Sequence, residues 1–468
     1  MSDQLLGKLG DLAKPRIVPI LDGKFRPAVL ANREFRKAAK ASGKAVPLAI
    51  GLERTDGTTS VLKTVVFAAD HPMAELNLPY AERLLNFLLW QKGGWKVTIG
   101  GPREIGEYIK KSYSPRGERA FDYDFHGQTV SERPFEVVIT DADKVPPAHE
   151  TSIPLGRHLE GYRIGFDLGA SDRKAAAVVN GESIFSEEVV WDPRGNADPA
   201  YHYAEINAAL KSAASKMPRV DAIGCSSAGV IISNRVMTAS LFRGIPKDQY
   251  YRVKDVFIHL AKEWGVPFEV ANDGDVTALA GAMSLNDVSV LGVAMGSSEA
   301  VGYVNEEGNI TGWLNELAFA PIDYNPNASA DEWSGGIGCG VQYLTQQAVF
   351  RLAASQGILL DQCETLADKL KAVQDLLESG DETARKIWET IGTYMGYAIA
   401  HYADFYKIKH MLILGRVTSG SGGHIVLDGA EKVLKAEFPD LASIELHLPD
   451  EKTRRVGQAV AAASLPVV

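Results

Sequence analysis

The chain has 468 residues, 46% hydrophobic and 23% charged, too long for one ordinary core and too apolar for disorder, so two or three globular domains are expected. Lys plus Arg number 49 against 59 for Asp plus Glu, a net charge of −10, which disfavours general nucleic-acid binding. Three cysteines, Cys225, Cys339 and Cys363, make no disulfide framework and suit a reducing cytoplasm; no apolar run of ~18 residues predicts a membrane span, and the N-terminus lacks the apolar stretch of a signal peptide.

Residues 1–44 hold ten basic side chains against four acidic ones, read as a solvated helix-and-loop surface ahead of an anion site. Strands are predicted over 45–52 and 61–68, around the turn Thr55-Asp56-Gly57. A helix follows over 80–90, with Ala81, Leu84, Leu85, Leu88 and Leu89 on one face. Strands over 95–99 and 133–139 complete an α+β domain of unknown family, residues 1–150. It shows no helix-turn-helix spacing. Pro146, Pro147, Pro154 and Gly156 mark a seam over 144–160.

Beyond the seam, runs at 163–167, 174–179 and 187–190 read as a β-meander. Helices at 198–216 and 254–264 alternate with strands at 222–226 and 268–271. A strand at 288–294 and a hairpin, 300–304 with 309–312, begin a second half. Helices at 340–355 and 381–406, a strand at 410–414, a Gly/Ser loop and an amphipathic helix at 451–465 complete it. A meander followed by alternating helices and strands, given twice, indicates α/β layers with mixed sheets.

Five clusters could carry chemistry. Asp167-Leu-Gly169-Ala-Ser171-Asp-Arg-Lys174 follows a strand. Its glycine allows close phosphate approach, turn N–H groups form an anion nest, and Asp167 could hold Mg²⁺ through water. The same residues also suit a plain hairpin turn. Asn272-Asp273 stands between a strand and a helix, suiting a base that takes a hydroxyl proton or, equally, a helix cap. Gly296-Ser297-Ser298-Glu299 offers a glycine and two hydroxyls to phosphate oxygens, whereas Glu299 would repel them unless it faces away or joins Mg²⁺ binding. Gly415 follows a strand and is followed by Arg416, which can stack on an aromatic ring, hold a phosphate or fill the space beside the glycine. Glu316, taken alone, reads as an exposed loop carboxylate.

The segment IGFDLGASDRKAA resembles the D-x-G-x-T-x-x-K phosphate loop of actin-like kinases. Four later segments narrow the resemblance to the ROK family (repressor, open reading frame, kinase). They are AIGCSSAGVI, VKDVFIHLAKEWGVPFEVANDGDVTALAGA, GSSEAVGYVNEEGNITGWLNELAF and ETIGTYMGYAIAHYADFYKIKHMLILGRVTSG. The match runs from about residue 161 to the end and leaves residues 1–150 outside it.

The resemblance implies a two-lobed actin-like (ribonuclease H-like) fold, lobes 161–275 and 276–468, with the final helix returning to the first. It implies ATP- and Mg²⁺-dependent phosphorylation of a sugar or polyol in the cytoplasm, and it allows a homodimer. Asp273 would be the base, with Asn272 and Glu316 on the substrate. Asp167, Gly169, Ser171, Lys174, Gly296, Ser297, Ser298 and Gly415 would hold the nucleotide and its metal. Asp275, where the family often has Asn, reads as a solvated helix residue.

The sequence also departs from the family. In the second phosphate loop Ala300 and Val301 replace glycines and only Gly302 of the later ones remains. The family's zinc ligands fall on Phe319, Glu332, Ser334 and Cys339. One cysteine cannot build a four-ligand site, so the protein is expected to hold no structural zinc, and Phe319 and Trp333 would hold the loop by packing. These departures keep open a second reading, a catalytically weak or inactive ligand-binding regulator. A repressor reading is disfavoured for want of an N-terminal winged helix.

Overall fold

A computed structural model describes residues 3–169, 172–449 and 451–468, apart from the side chains of 153 and 451–456. Helices α1 (Asp3–Gly10) and α2 (Ala28–Ala41) precede strands β1 (Val46–Glu53) and β2 (Thr59–Val66). Then come α3 (Asn77–Lys92), β3 (Lys96–Gly100), α4 (Arg103–Ser112), α5 (Ala120–Asp124) and β4 (Glu136–Thr140). The four strands form one sheet in the order β2-β1-β3-β4, antiparallel except for the β3–β4 pair. Gly57 takes a φ of 81° in the predicted turn between β1 and β2, a conformation that favours glycine.

Fourteen residues of α3 are buried, so the helix is covered on every side and not on one face alone. Tyr80, Leu84, Leu85 and Leu88 pack on the N-terminal sheet. Phe87 and Trp90 belong instead to a core that includes Leu291, Val293, Leu317 and the long C-terminal helices.

A short strand β5 (Ser152–Ile153) leads to β6 (Tyr162–Leu168), β7 (Asp172–Val179) and β8 (Glu182–Val190). Helix α6 (Pro199–Ala214), capped by Asp198, precedes β9 (Ala222–Ser227) and the hairpin β10 (Val230–Ile232) and β11 (Arg235–Thr238). Helices α7 (Tyr251–Lys254) and α8 (Val256–Trp264) then lead to β12 (Phe268–Asn272), giving the sheet order β12-β9-β6-β7-β8.

Helix α9 (Asp273–Leu285) crosses to β13 (Val290–Met295), β14 (Glu299–Val304) and β15 (Ile310–Thr311). Helices α10 (Gln346–Ser355), α11 (Leu366–Glu378) and α12 (Glu382–Ala403) precede β16 (His410–Leu414). Helix α13 (Ser421–Glu437), β17 (Glu445–His447) and α14 (Glu451–Ala463) follow, and the second sheet runs β17-β16-β13-β14-β15-β5. From β17 to β15 it repeats the first sheet: a meander, then two parallel strands added beside its first member.

The seam is pinned at several points. His149 bridges to Thr59, and β5 pairs antiparallel with β15. Glu150 accepts from Arg54 Nη2 at 2.7 Å, Lys92 Nζ at 3.0 Å and Trp313 Nε1 at 3.0 Å, and from Ser60. Burial opposes its charge, but Lys92, Ser60, Arg54 and Trp313 hold the carboxyl down at about 2. The N-terminal region is therefore joined to the second sheet by a shared core and a tied connector.

Helix α14 returns to the first sheet, where a Cβ on Gly165 or Gly224 would overlap the carbonyls of Ala459 and Ala462. Among the described residues no helix is long and apolar enough to cross a membrane.

Candidate active site

Parallel pairing brings three strand ends together. Asp167 lies opposite Ser226, and Ser227 opposite Asn272. Ligand sites of open α/β sheets form at such carboxyl ends. Ser226 Oγ donates to Asp167 Oδ1 at 2.6 Å, and Gln458 Nε2 of α14 lies 3.4 Å from the same oxygen. Lys174, opposite Asp167 on β7, places Nζ 4.0 Å from Asp167 Oδ2 and 3.0 Å from Asp172 Oδ1. Burial raises the Asp167 carboxyl above its usual range, against the pull of Ser226 and Lys174. Gly169 closes the turn, its N–H donating to Asp172 O at 3.0 Å and its carbonyl accepting from Trp191 Nε1 at 3.0 Å. Ser171 lies outside the described residues.

Asn272 caps α9, accepting from Gly274 N at 2.8 Å and donating Nδ2 to Gly229 O at 2.9 Å. Asp273 is thus the first helical residue and not the cap. It is half-buried. Burial, reinforced by the Asp167 charge, lifts its carboxyl to about 6. Such a group is mostly ionised at pH 7 yet basic enough to accept a hydroxyl proton.

Asp275 is buried, correcting its reading as a solvated residue. Its Oδ1 accepts from Tyr303 N at 3.1 Å and Asn315 Nδ2 at 3.0 Å. Glu316 N donates to Trp90 O at 2.9 Å and Asn315 N to Gln91 O at 2.8 Å, so the end of α3 holds this loop from the N-terminal side. Burial and then the charges of Asp273, Asp275 and Glu299 raise Glu316 to about 8. Its half-buried carboxyl shares a neighbourhood with Asp273, unlike an exposed loop residue.

In the second sheet β13 and β16 run parallel, with Ala294 opposite Leu414. Their ends therefore set Gly296–Ser298 beside Gly415. At Gly415 φ is 106° and a Cβ would lie 2.5 Å from Met295 O. Only glycine permits that approach. Gly296 N donates to Ser298 O at 3.0 Å, making a tight hairpin turn with Ser297 and Ser298 exposed at its tip. Glu299 does not face the turn. It is buried, Oε1 accepting from Tyr402 OH at 2.9 Å, and burial raises it to about 8. Gly302, which resembles a surviving loop glycine, instead packs in β14 against the backbone of Gly274. Arg416 is exposed, leaving its carbonyl to accept from Gln374 Nε2 at 2.8 Å.

The loop after Glu316 is held by packing, as expected. Phe319 lies 4.7 Å from Trp333 and 4.9 Å from Trp90 between ring centroids. Asp331 Oδ2 accepts from Ser334 N at 2.6 Å. Glu332 is exposed, and burial pushes the Cys339 thiol up to about 12.

Sequence reasoning missed Ser226 and Gln458 as partners of Asp167. The first was detectable by aligning strand ends. The second comes from a helix about 290 residues away in sequence, and no local signal pointed to it.

The ROK family model matches residues 163–424. No curated protein matches the chain. Among solved structures, a ROK hexokinase from Thermus thermophilus is 17% identical with a TM-score of 0.52, covering 64% of this chain and 97% of that one. A ROK family glucokinase from Streptomyces griseus, in complex with glucose and AMPPNP, is 20% identical with a TM-score of 0.50, covering 64% and 99%. A ROK family transcriptional regulator, homolog of the E. coli MLC protein, is 20% identical with a TM-score of 0.53, covering 66% and 79%. At these identities the likeness is one of fold, the two-lobed actin-like architecture. With more than half of its residues matched by the family model, the protein belongs to the ROK family.

Proposed function

We propose that this protein phosphorylates a hydroxyl of a sugar or sugar-like polyol with ATP. The observation that carries the reading is Asp273, half-buried at the carboxyl end of β12, beside Asp167 and Glu316 and raised to about 6. Asp273 takes the proton of the attacking hydroxyl, and Asn272 and Glu316 orient the substrate. Gly169, Lys174, Gly296, Ser297 and Ser298 take the phosphates, with Ser171 assigned to them by the sequence motif alone, and Gly415 clears room for the nucleoside. Asp167 suits Mg²⁺. Among the described residues its half-buried carboxylate has one cation, Lys174 at 4.0 Å, to offset its charge, and the ion, when bound, neutralises phosphate charge. The lobes, 161–275 and 276–468, close over the substrate and exclude water that would otherwise accept the phosphate. Residues 1–150 buttress the second lobe.

One observation favours a second reading, a ligand-sensing protein of weak activity. The Gly296 N–H is spent inside its own turn, which leaves fewer backbone donors for phosphate than a glycine-rich loop provides.

The test is single-turnover phosphorylation of a sugar found by thermal-shift screening, with affinity measured alongside. In the wild type, turnover falls as pH drops below about 6, where Asp273 becomes protonated. Asp273→Asn lowers turnover at least ~10²-fold and changes sugar affinity little, because Asn272 still caps α9. Unchanged turnover removes Asp273 from the role. Sugar binding without ATP consumption by the wild type supports the sensing reading.

A further inference from the structure

Strands β16 and β17 run parallel at the edge of the second sheet, with His410 opposite Glu445 and Leu412 opposite His447. Residues two apart on a strand share a face, so this register sets His410, Glu445 and His447 on one side. One ligand atom from each lies within 4.8 Å of the others. His410 Nδ1 is 3.0 Å from His447 Nε2 and 3.5 Å from Glu445 Oε2, and His447 Nε2 is 3.9 Å from Glu445 Oε2. A tetrahedral zinc ion with N and O ligands at ~2.0–2.2 Å has ligand-to-ligand edges of roughly 3.4 Å. The three separations straddle that value.

A second observation bears on the same point. His410 Nε2 lies 3.0 Å from Asp287 Oδ2. Donation of the Nε2 proton to that carboxylate leaves the Nδ1 lone pair aimed between Glu445 and His447. A carboxylate behind a histidine ligand is the usual way a protein fixes the tautomer and orientation of a metal-binding imidazole. Asp287 is itself fixed, accepting from Val288 N at 2.8 Å and paired with Lys409.

We propose that His410, Glu445 and His447 form a binding site for a divalent cation of the zinc class, with water completing the coordination and Asp287 positioning His410. Two imidazoles and a carboxylate suit zinc better than magnesium, which prefers an all-oxygen shell. The site is separate from the Phe319–Cys339 loop. It is also remote from the proposed cleft: His410 opens β16, and Gly415 follows its far end, ~16 Å away at the rise of a strand. The bound ion clasps the three-residue strand β17 to β16 and, through Asp287, steadies the turn after α9. The competing arrangement is a plain hydrogen bond between the two imidazoles, which needs no cation.

Full-length protein treated with a chelator and desalted is titrated with ZnCl₂ by calorimetry and with CoCl₂ by absorption. The expected result is one equivalent bound, a cobalt d–d spectrum without a thiolate charge-transfer band, and a Tm that rises with zinc concentration. His447→Gln and Glu445→Gln, both at the sheet edge, weaken binding at least tenfold while keeping the metal-free Tm, and Asp287→Asn weakens it about tenfold. The proposal is overturned if the wild type takes up no equivalent, if His447→Gln binds as tightly as wild type, or if Cys339→Ser abolishes binding instead.

Discussion

At position 299 a carboxylate pointing into the preceding turn would repel a bound phosphate. The fold avoids this through strand parity. Met295 pairs with Glu299 across the three-residue turn, so the side chain points into the core and onto Tyr402, leaving Oε2 without a hydrogen-bond partner among the described residues. The acid was visible in the sequence, but its direction depended on turn length and pairing, which no single residue reveals. The arrangement has a measurable consequence. A carboxyl raised from 4.5 to about 8 binds its proton in the folded state and not in the unfolded one between those values. Stability from this group is therefore complete below about pH 4.5 and is lost as pH rises to about 8. Glu299→Gln keeps an acceptor for Tyr402 and cannot ionise. It should leave stability at pH 5 nearly unchanged and raise it by ~4 kcal/mol at pH 9, as read by urea unfolding at the two pH values. An equal effect at both would show that Glu299 does not titrate in this range.

Among the elements, α9 links the proposed active site to the proposed metal site. It begins at the proposed base, ends beside Asp287, and meets β14 backbone to backbone, because a Cβ on Gly302 would overlap the carbonyl of Gly274 and one on Gly274 the carbonyl of Val301. Gly302→Ala should therefore separate the two elements and shift Asp273. We expect a loss of about 3 kcal/mol, at the upper end for overpacking, together with a fall in turnover. A variant with wild-type urea midpoint and turnover would mean that the contact yields easily. The Gly/Ser loop expected after the 410–414 strand runs instead into the first turn of α13, for a related reason. Gly422 and Gly423 lower its intrinsic helix propensity, yet they let its first turn press against Trp388 and Thr418. Close packing here outweighs a local preference that argues against a helix. Strands with regular alternation, such as β1, β6 and β13, were legible within a few residues. The two-residue strands β5 and β15 were not located as a pair, since their partners are distant in sequence.

For the molecule as a whole, the basic residues of 1–44, expected to form a solvated surface, partly tie this segment to the rest of the chain. Arg33 and Arg36 reach Asp404 at 2.8 Å, Arg16 pairs with Glu437, and Lys8 with Glu75 at 2.6 Å. The excess of charge was legible, but the acids that pair with Arg16, Arg33 and Arg36 lie hundreds of residues away. Phe25 completes the attachment, with its ring centroid 4.9 Å from Tyr394 and 5.4 Å from Tyr343. A tied connector and a shared core predict that the N-terminal region and the second lobe unfold together. Scanning calorimetry should show one transition for that pair, and Phe25→Ala should lower its stability by about 3–5 kcal/mol, the usual cost of emptying an aromatic site. A variant that melts the N-terminal sheet alone, with the second lobe unmoved, would argue for two independent units.

The glycine-floored groove that receives α14 also bears on the order of biosynthesis. Strands β6 and β9 emerge from the ribosome long before the helix that covers Gly165 and Gly224. At ~5–20 residues per second the delay amounts to roughly tens of seconds. During that interval the nascent sheet presents a bare, apolar trough, and Asp167 lacks its contact with Gln458. Chaperone engagement while translation proceeds should therefore concentrate on β6 and β9 and cease once α14 has been extruded.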